Sequence, residues 1–322
     1  MLDAIRFVRG AVKDTDTITP VLTHFYINKG RIQGTDGRLH LDIACPDLTF
    51  EAVVPAERFL RAVDACEKEP TFRFTDGGKL VIESKPFKAF LPHLTALDFP
   101  AAVPSGGRKH KMSPTLIPVL RTLLPFLSTD ASRAWAGTIL FHKETGQAFA
   151  ANNAIIAVHK AEQMFHADIQ LPIFTVKELI RIADPPEHYS MDEVGITFYW
   201  GDRWLRSSLI NAEWPVKTAV NYLTMKGTKV PIPDRLQSSI NKIIPFCSDP
   251  KFPIIHFTKN GISTAQGETS AEVAGFDVGE TALRADNIAP MLAVSTHMAV
   301  GDKVVLFWGK DFRGFMAPLR TA

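Results

Sequence analysis

The chain has only three cysteines, Cys45, Cys66 and Cys247, in 322 residues. An odd number without paired spacing excludes a disulfide framework and a cysteine-based metal module, and reads as a reduced, cytoplasmic setting. No apolar run approaches the roughly 20 residues of a membrane helix. Asp3, Arg6 and Arg9 fall where a secretion signal would carry its apolar core, so secretion is not expected. Charge of one sign is also missing: 36 Lys and Arg against 34 Asp and Glu leave a net +2. Any polyanion-binding surface must therefore come from the placement of cations rather than their total. Catalytic signatures are absent too. There is no His-Glu-x-x-His, Cys-x-x-Cys, Gly-x-Ser-x-Gly or dinucleotide fingerprint. Gly106-Gly107 is not a phosphate loop, because no strand precedes it and no Gly-Lys-Ser/Thr follows. The histidines are dispersed, and His24 and His256 read as sheet residues in equivalent strands. Asp36, in a Gly-Thr-Asp-Gly turn, reads as a turn former, since its counterparts Asn152 and Gly267 cannot do acid–base chemistry. A non-enzyme without metal or cofactor is expected.

What the chain does have is repetition. Val21–Leu41 reads as a β-hairpin: Leu22, His24 and Tyr26 alternate with Thr23, Phe25 and Ile27, and Asn28-Lys29-Gly30 supplies the turn. Ile139–Val158 and Ile254–Val273 have the same shape, and the turn glycines Gly30, Gly146 and Gly261 are spaced by 116 and 115 residues. Smaller markers recur as well. Leu123-Leu124-Pro125-Phe126 parallels Ile243-Ile244-Pro245-Phe246, Phe99-Pro100 parallels Trp214-Pro215, and Trp200-Gly201 parallels Trp308-Gly309. A globular composition, 46% hydrophobic and 22% charged, in a chain too long for one core, fits this division. Three α+β units follow, at 1–104, 112–216 and 217–322, with residues 101–111 a solvated tether by composition.

The predicted helices pair an apolar face with a cationic stripe. Residues 2–13 place Ile5, Val8 and Val12 on one arc and Arg6, Arg9 and Lys13 on another. Pro55 opens a helix that buries Phe59, Ala62, Val63 and Cys66 and turns out Arg58, Arg61 and Lys68. Ser113-Pro114 starts a third, with a leucine stripe from Leu116 to Leu127 and Arg121 near Lys109 and Lys111; Pro125 should end or bend it. In Thr175–Ala183, Lys177 and Arg181 face out together. Pro233 opens another helix with Leu236, Ile240, Ile243 and Ile244 inward and Arg235 and Lys242 sharing a different face. A short helix over Asn287–Val294 is weakened by Pro290. One such stripe is an ordinary solvated surface; its recurrence in every unit suggests a common polyanion. Duplex DNA offers about one negative charge per 1.7 Å of axis, and phosphate contacts of this kind hold it without reading sequence.

Taken in order, Gly34-Thr-Asp-Gly37, Val54-Pro-Ala-Glu-Arg-Phe59, Leu97-Asp-Phe-Pro100, Leu171-Pro172 with Val176-Lys-Glu-Leu-Ile-Arg181, and Met316-Ala-Pro-Leu-Arg320 resemble the bacterial and phage β-type DNA sliding clamps. The resemblance spans essentially the whole chain. It implies three tandem clamp domains per chain and a head-to-tail homodimer, with helices lining a central hole and antiparallel sheets outside. It implies a non-catalytic ring that encircles double-stranded DNA and tethers the replicative polymerase. It also implies a pocket that captures short peptides of polymerase and clamp loader, at Ala151, Asn153, Ile155, Ile156, Pro215, Ala219, Val220, Phe315, Ala317, Pro318 and Leu319. Subunit contacts would fall at Phe99, Phe246 and Cys247. The sequence departs from the family where a Thr-Asp-Gly-His-Arg-Leu wall is replaced by Ala151-Asn-Asn-Ala-Ile-Ile156, and where the family's arginine near the first hairpin corresponds to Asp16. The rival readings are a non-ring DNA-binding accessory subunit and an enzyme using Asp36 or a histidine.

Overall fold

The computed structural model describes residues 1–130, 132–249, 251–301 and 303–319; Arg320, the end of the terminal motif, lies outside them. Among these residues the helices are α1 (Leu2–Arg9), α2 (Ala56–Asp64), α3 (Leu116–Leu123), α4 (Ile173–Ile182), α5 (Val216–Leu223), α6 (Leu236–Ile243) and α7 (Ala285–Val294). No helix is long and apolar enough to cross a membrane. Contacts gather the chain into two compact units, residues 1–117 with 177–209, and residues 118–176 with 210–322. These units follow the sheets rather than the sequence repeats.

The first unit holds an eight-stranded antiparallel sheet in the order 51–55, 24–28, 31–35, 39–44, 203–208, 195–200, 188–191, 110–111. Its middle joint pairs Leu41 with Leu205 and His40 with Arg206. There Asp42, 1% exposed, accepts from Arg31 Nε at 2.8 Å. Helix α1 buries Ala4, Ile5, Phe7 and Val8 and lies on strands 31–35 and 39–44. Gly34 permits that approach, because a Cβ there would stand 2.5 Å from the Val8 carbonyl oxygen and 2.7 Å from Val12. The helix stops at Arg9, four residues short of the predicted end. Gly10 lowers helix propensity, and the Lys13 N–H goes instead to the Leu22 carbonyl at 3.0 Å. Helix α2 buries Ala56, Phe59, Ala62 and Val63, with Phe59 stacked on Phe72. A separate three-stranded sheet runs 71–74, 79–84, 87–92.

The stretch at 101–111 is docked, not a free tether. Ser105 is 5% exposed. Its N–H donates to Thr197 Oγ1 at 2.9 Å, its carbonyl accepts from Ser190 at 3.0 Å, and its hydroxyl accepts from Arg206 at 2.8 Å. Lys109 lies over the Tyr199 ring, 4.1 Å from its centroid. A buried polar segment needs such partners, and here the sheet supplies them.

The second unit repeats the eight-strand order strand for strand: 169–172, 138–142, 147–151, 155–160, 312–316, 305–309, 297–300, 230–231. The corresponding joint pairs Ile156 with Phe315 and Val158 with Arg313. Helices α3 and α6 both run into a 3-10 turn at Leu124–Phe126 and Ile244–Phe246, each with its proline in the first turn, as the repeated Pro-Phe ending predicts. Helix α7 is longer than its sequence suggests and contains Pro290. A separate four-stranded sheet runs 281–284, 254–258, 261–263, 270–272. Asp36 and Asn152 are structural equivalents: each side-chain oxygen accepts the backbone N–H groups two and three residues on, at 2.8–2.9 Å. The turn-forming role expected of Asp36 is what its geometry provides.

Candidate partner pocket and cation-bearing helices

A hollow with a mostly apolar lining lies in the second unit, a cavity of about 210 Å³. Its floor is the joint of strands 155–160 and 312–316, where Ile156 faces Phe315. One wall is α5, whose Thr218 and Tyr222 reach the cavity while Ala219 packs into the core behind it. Another is the turn Asn152–Ala154, braced by the Asn152 side chain. Trp135 and Trp214 close the third side edge to face, 5.3 Å between centroids. The Trp214 indole N–H donates to the Trp135 carbonyl at 3.1 Å, so this apolar corner is fixed by a satisfied polar tip. Tyr222 tilts on Phe315 at 5.3 Å. Lys303 contributes a cation to the lining.

Arg313 holds α5 in place. Its guanidinium donates to the Leu223 carbonyl and, at 3.0 Å, to the Met225 carbonyl, the C-terminal end of the helix. It is sandwiched between Trp308, 5.7 Å away, and Phe315, 5.3 Å away. Burial pulls this guanidinium below its usual pKa. A concave, mostly apolar site on rigid elements with a few polar groups at its edge suits capture of a short peptide by its apolar side chains.

Of the predicted pocket residues, Ala151, Asn153, Ile155, Ile156, Pro215, Phe315 and Ala317 line this cavity. Ala219 is buried behind it and Val220 packs on the same core. Pro318 and Leu319 do not line it; the Leu319 N–H pairs with the Ala282 carbonyl at 2.9 Å. Trp135, Trp214, Thr218, Tyr222, Lys303 and Val304 line it as well, outside the set expected from sequence. Phe99 is buried in its own unit, its ring tilted on Tyr26 at 5.3 Å, and Cys247 is buried as well, whereas Phe246 is 62% exposed. Among the described residues no three His, Cys, Asp or Glu side chains gather as metal ligands.

The predicted DNA-facing cations divide into two sets. Arg6 pairs with Asp64 at 3.0 Å, Arg9 with Asp14 and with Glu57 at 3.6 Å, Lys13 with Asp16 at 2.7 Å, and Arg61 with Glu57 at 2.7 Å. The Lys13 ammonium and the Thr19 N–H hold the Asp16 carboxyl below the usual carboxylate range. Arg181 closes on Glu178, whose side chain is 6% exposed. Arg58, Lys68, Arg121, Lys177, Arg235 and Lys242 are exposed and make no ion pair with a described residue.

No protein-family model and no curated protein matches the chain by sequence. Solved structures match along its whole length. A Pseudomonas aeruginosa DnaN sliding clamp (DNA polymerase III subunit beta) bound to griselimycin has a TM-score of 0.81 at 16% identity, over 100% of this chain and 97% of that one. A Helicobacter pylori beta clamp bound to DNA ligase peptide has a TM-score of 0.79 at 15% identity, over 99% and 97%. A C. crescentus beta sliding clamp has a TM-score of 0.82 at 17% identity, over 99% and 97%. The chain has the fold of the beta sliding clamps.

Proposed function

We propose that this protein is a DNA sliding clamp: two chains joined head to tail encircle duplex DNA and tether a replicative polymerase to it. The observation that carries the reading is the way its sheets are completed. In each unit an eight-stranded sheet forms when the third strand of one hairpin set (39–44 or 155–160) pairs with the first strand of another set (203–208 or 312–316, counted inward from the joint). The three-stranded sheet ending at 87–92 and the four-stranded sheet ending at 270–272 are the two halves of such an assembly, each with that joint strand at its edge. An open edge is a template for pairing. Two chains, each joining its 87–92 edge to the partner's 270–272 edge, close every sheet and use three repeats twice. The repeats are then clamp domains at 1–104, 112–216 and 217–322.

Exposed apolar side chains mark both ends. Phe74, Phe90, Leu94 and Leu97 are exposed near the first edge, and Phe246, at the end of the helix that packs on strand 270–272, near the second. We assign the subunit contact to Phe90, Leu97 and Phe246; Phe99 and Cys247, expected there from the family resemblance, are buried within their own chain. The clamp breaks no bond. A closed ring leaves DNA only by sliding off an end, so a polymerase bound to it rebinds at high effective concentration. The cavity walled by Trp135, Trp214 and Tyr222 takes the short peptides of polymerase and clamp loader, as the H. pylori clamp takes a DNA ligase peptide. Three free cysteines suit a reducing cytoplasm, of a bacterial cell or a phage-infected host.

Solution mass tests the assembly. The chain should run as a dimer, twice 35.6 kDa, and Phe90→Glu should convert it to a folded monomer. A monomeric wild-type chain at micromolar concentration would remove the ring.

A further inference from the structure

We infer that the first helix is electrostatically silent toward DNA, and that the phosphate-holding cations are Arg58, Lys68, Arg121, Lys177, Arg235 and Lys242. This rests on the clamp reading and assigns the contacts within it. Every basic residue of the α1 stripe has an acid of its own: Asp64 on Arg6, Asp14 and Glu57 on Arg9, and Asp16 on Lys13. Asp14, Glu57 and Asp64 are solvent-exposed beside these cations, and Asp16 is largely buried against Lys13. A phosphate approaching α1 therefore meets paired ions of near-zero net charge, and each new contact must displace an existing carboxylate. Exchanging one anion for another gives little net gain.

The geometry makes displacement harder for Arg9 and Lys13. Arg9 is 25% exposed and also donates to the Val12 carbonyl at 2.9 Å. Asp16 is fixed from three sides, by Lys13 Nζ and by the N–H groups of Thr19 at 2.7 Å and Ile18 at 2.9 Å. Arg181 is spent in a different way, holding the buried Glu178 and the Phe7 carbonyl. By contrast Arg121 on α3, Arg235 at the N-terminal cap of α6 and Lys242 on α6 are exposed and without an acidic partner among the described residues. The molecule thus grips DNA through its later helices and is near neutral along its first. For a ring held by topology, a weak and uneven grip favours sliding over arrest.

The test is salt-dependent binding of the full-length protein to a short fluorescent duplex, read by anisotropy. Each lost phosphate contact lowers the slope of log affinity against log salt by about 0.9. Arg121→Gln/Arg235→Gln/Lys242→Gln should therefore lower it by about 2–3, with roughly tenfold weaker binding at low salt. Arg6→Gln/Arg9→Gln/Lys13→Gln should leave the slope within error. Asp14→Asn/Asp16→Asn should raise affinity and slope, a gain that misfolding cannot imitate. Equal losses from the two triple variants, or no gain from the aspartate pair, would overturn the assignment. A wild-type chain that binds no DNA at low salt would overturn the clamp reading and this assignment with it.

Discussion

The Arg181 guanidinium donates to the Phe7 carbonyl at 2.8 Å while its Nε holds the Glu178 carboxylate at 2.9–3.0 Å. A residue read from sequence as an outward cation thus ties α4 to the C-terminal turn of α1. Gly10 makes room for it, since a Cβ there would fall on the Glu178 carboxylate.

Loss of this tie should cost stability. Arg181→Gln leaves Glu178, 6% exposed, without its charge partner. A fully buried broken pair costs about 3–5 kcal/mol. The arginine is 43% exposed, so solvent screening reduces the expected loss to about 2 kcal/mol. Chemical denaturation should show a lower midpoint with an unchanged slope.

On the clamp reading, the pocket walls should carry the peptide affinity. Tyr222→Ala and Trp135→Ala each remove a partly buried aromatic from the cavity lining. Titration with a DNA ligase peptide of the kind held by the H. pylori clamp should show Kd rising by about tenfold or more, the scale of an aromatic anchor. Leu319→Ala, outside the lining, should change Kd less than twofold, within the near-neutral range of residues beside a binding hot spot.

Arg313 should act on the same affinity through α5. Arg313→Gln frees the carbonyls of Leu223 and Met225 from their shared donor. Peptide binding should weaken about fivefold to tenfold, equal to about 1–1.4 kcal/mol, and Arg313→Lys should restore part of it. The dimer mass should not change.

Acid should loosen the sheet joint at His40. Burial lowers its pKa from the usual 6.5; Arg206 pushes the same way and Asp36 opposes. Its Nδ1 is buried and has no partner among the described residues. A histidine whose folded pKa is depressed binds its proton more readily when unfolded. Its stabilising contribution is present above pH 6.5 and is lost as pH falls through the folded value. Melting temperature should therefore drop as pH is lowered from about 7 to 5, the range in which a histidine titrates. His40→Gln should flatten that fall.

What could be read from the sequence was local. The hairpin turns at Gly30 and Gly146, the Asx turns of Asp36 and Asn152, and the paired Pro125 and Pro245 endings are decided by neighbours within a few residues. The tether at 101–111 misled because Ser105 finds its partners at Ser190, Thr197 and Arg206, more than 80 residues on. The acids on α1 split the same way. Asp14 and Asp16 stand beside the stripe in sequence, but Glu57 and Asp64 reach it only after α2 packs on α1. Helix α5 does carry a local signal, since Val216, Ala219, Val220 and Leu223 show the i, i+3, i+4, i+7 pattern. Trp135, Tyr222 and Lys303 come to the pocket from three distant segments, and no spacing rule joins them.

Retention on closed DNA tests the encircling claim most directly. The protein, assembled on a nicked circular plasmid, is passed through a sizing column in salt high enough to abolish phosphate contacts. The account predicts that it travels with the circle and is released when a restriction enzyme linearises the plasmid. Equal loss from circle and linear DNA, or equal retention on both, would contradict it.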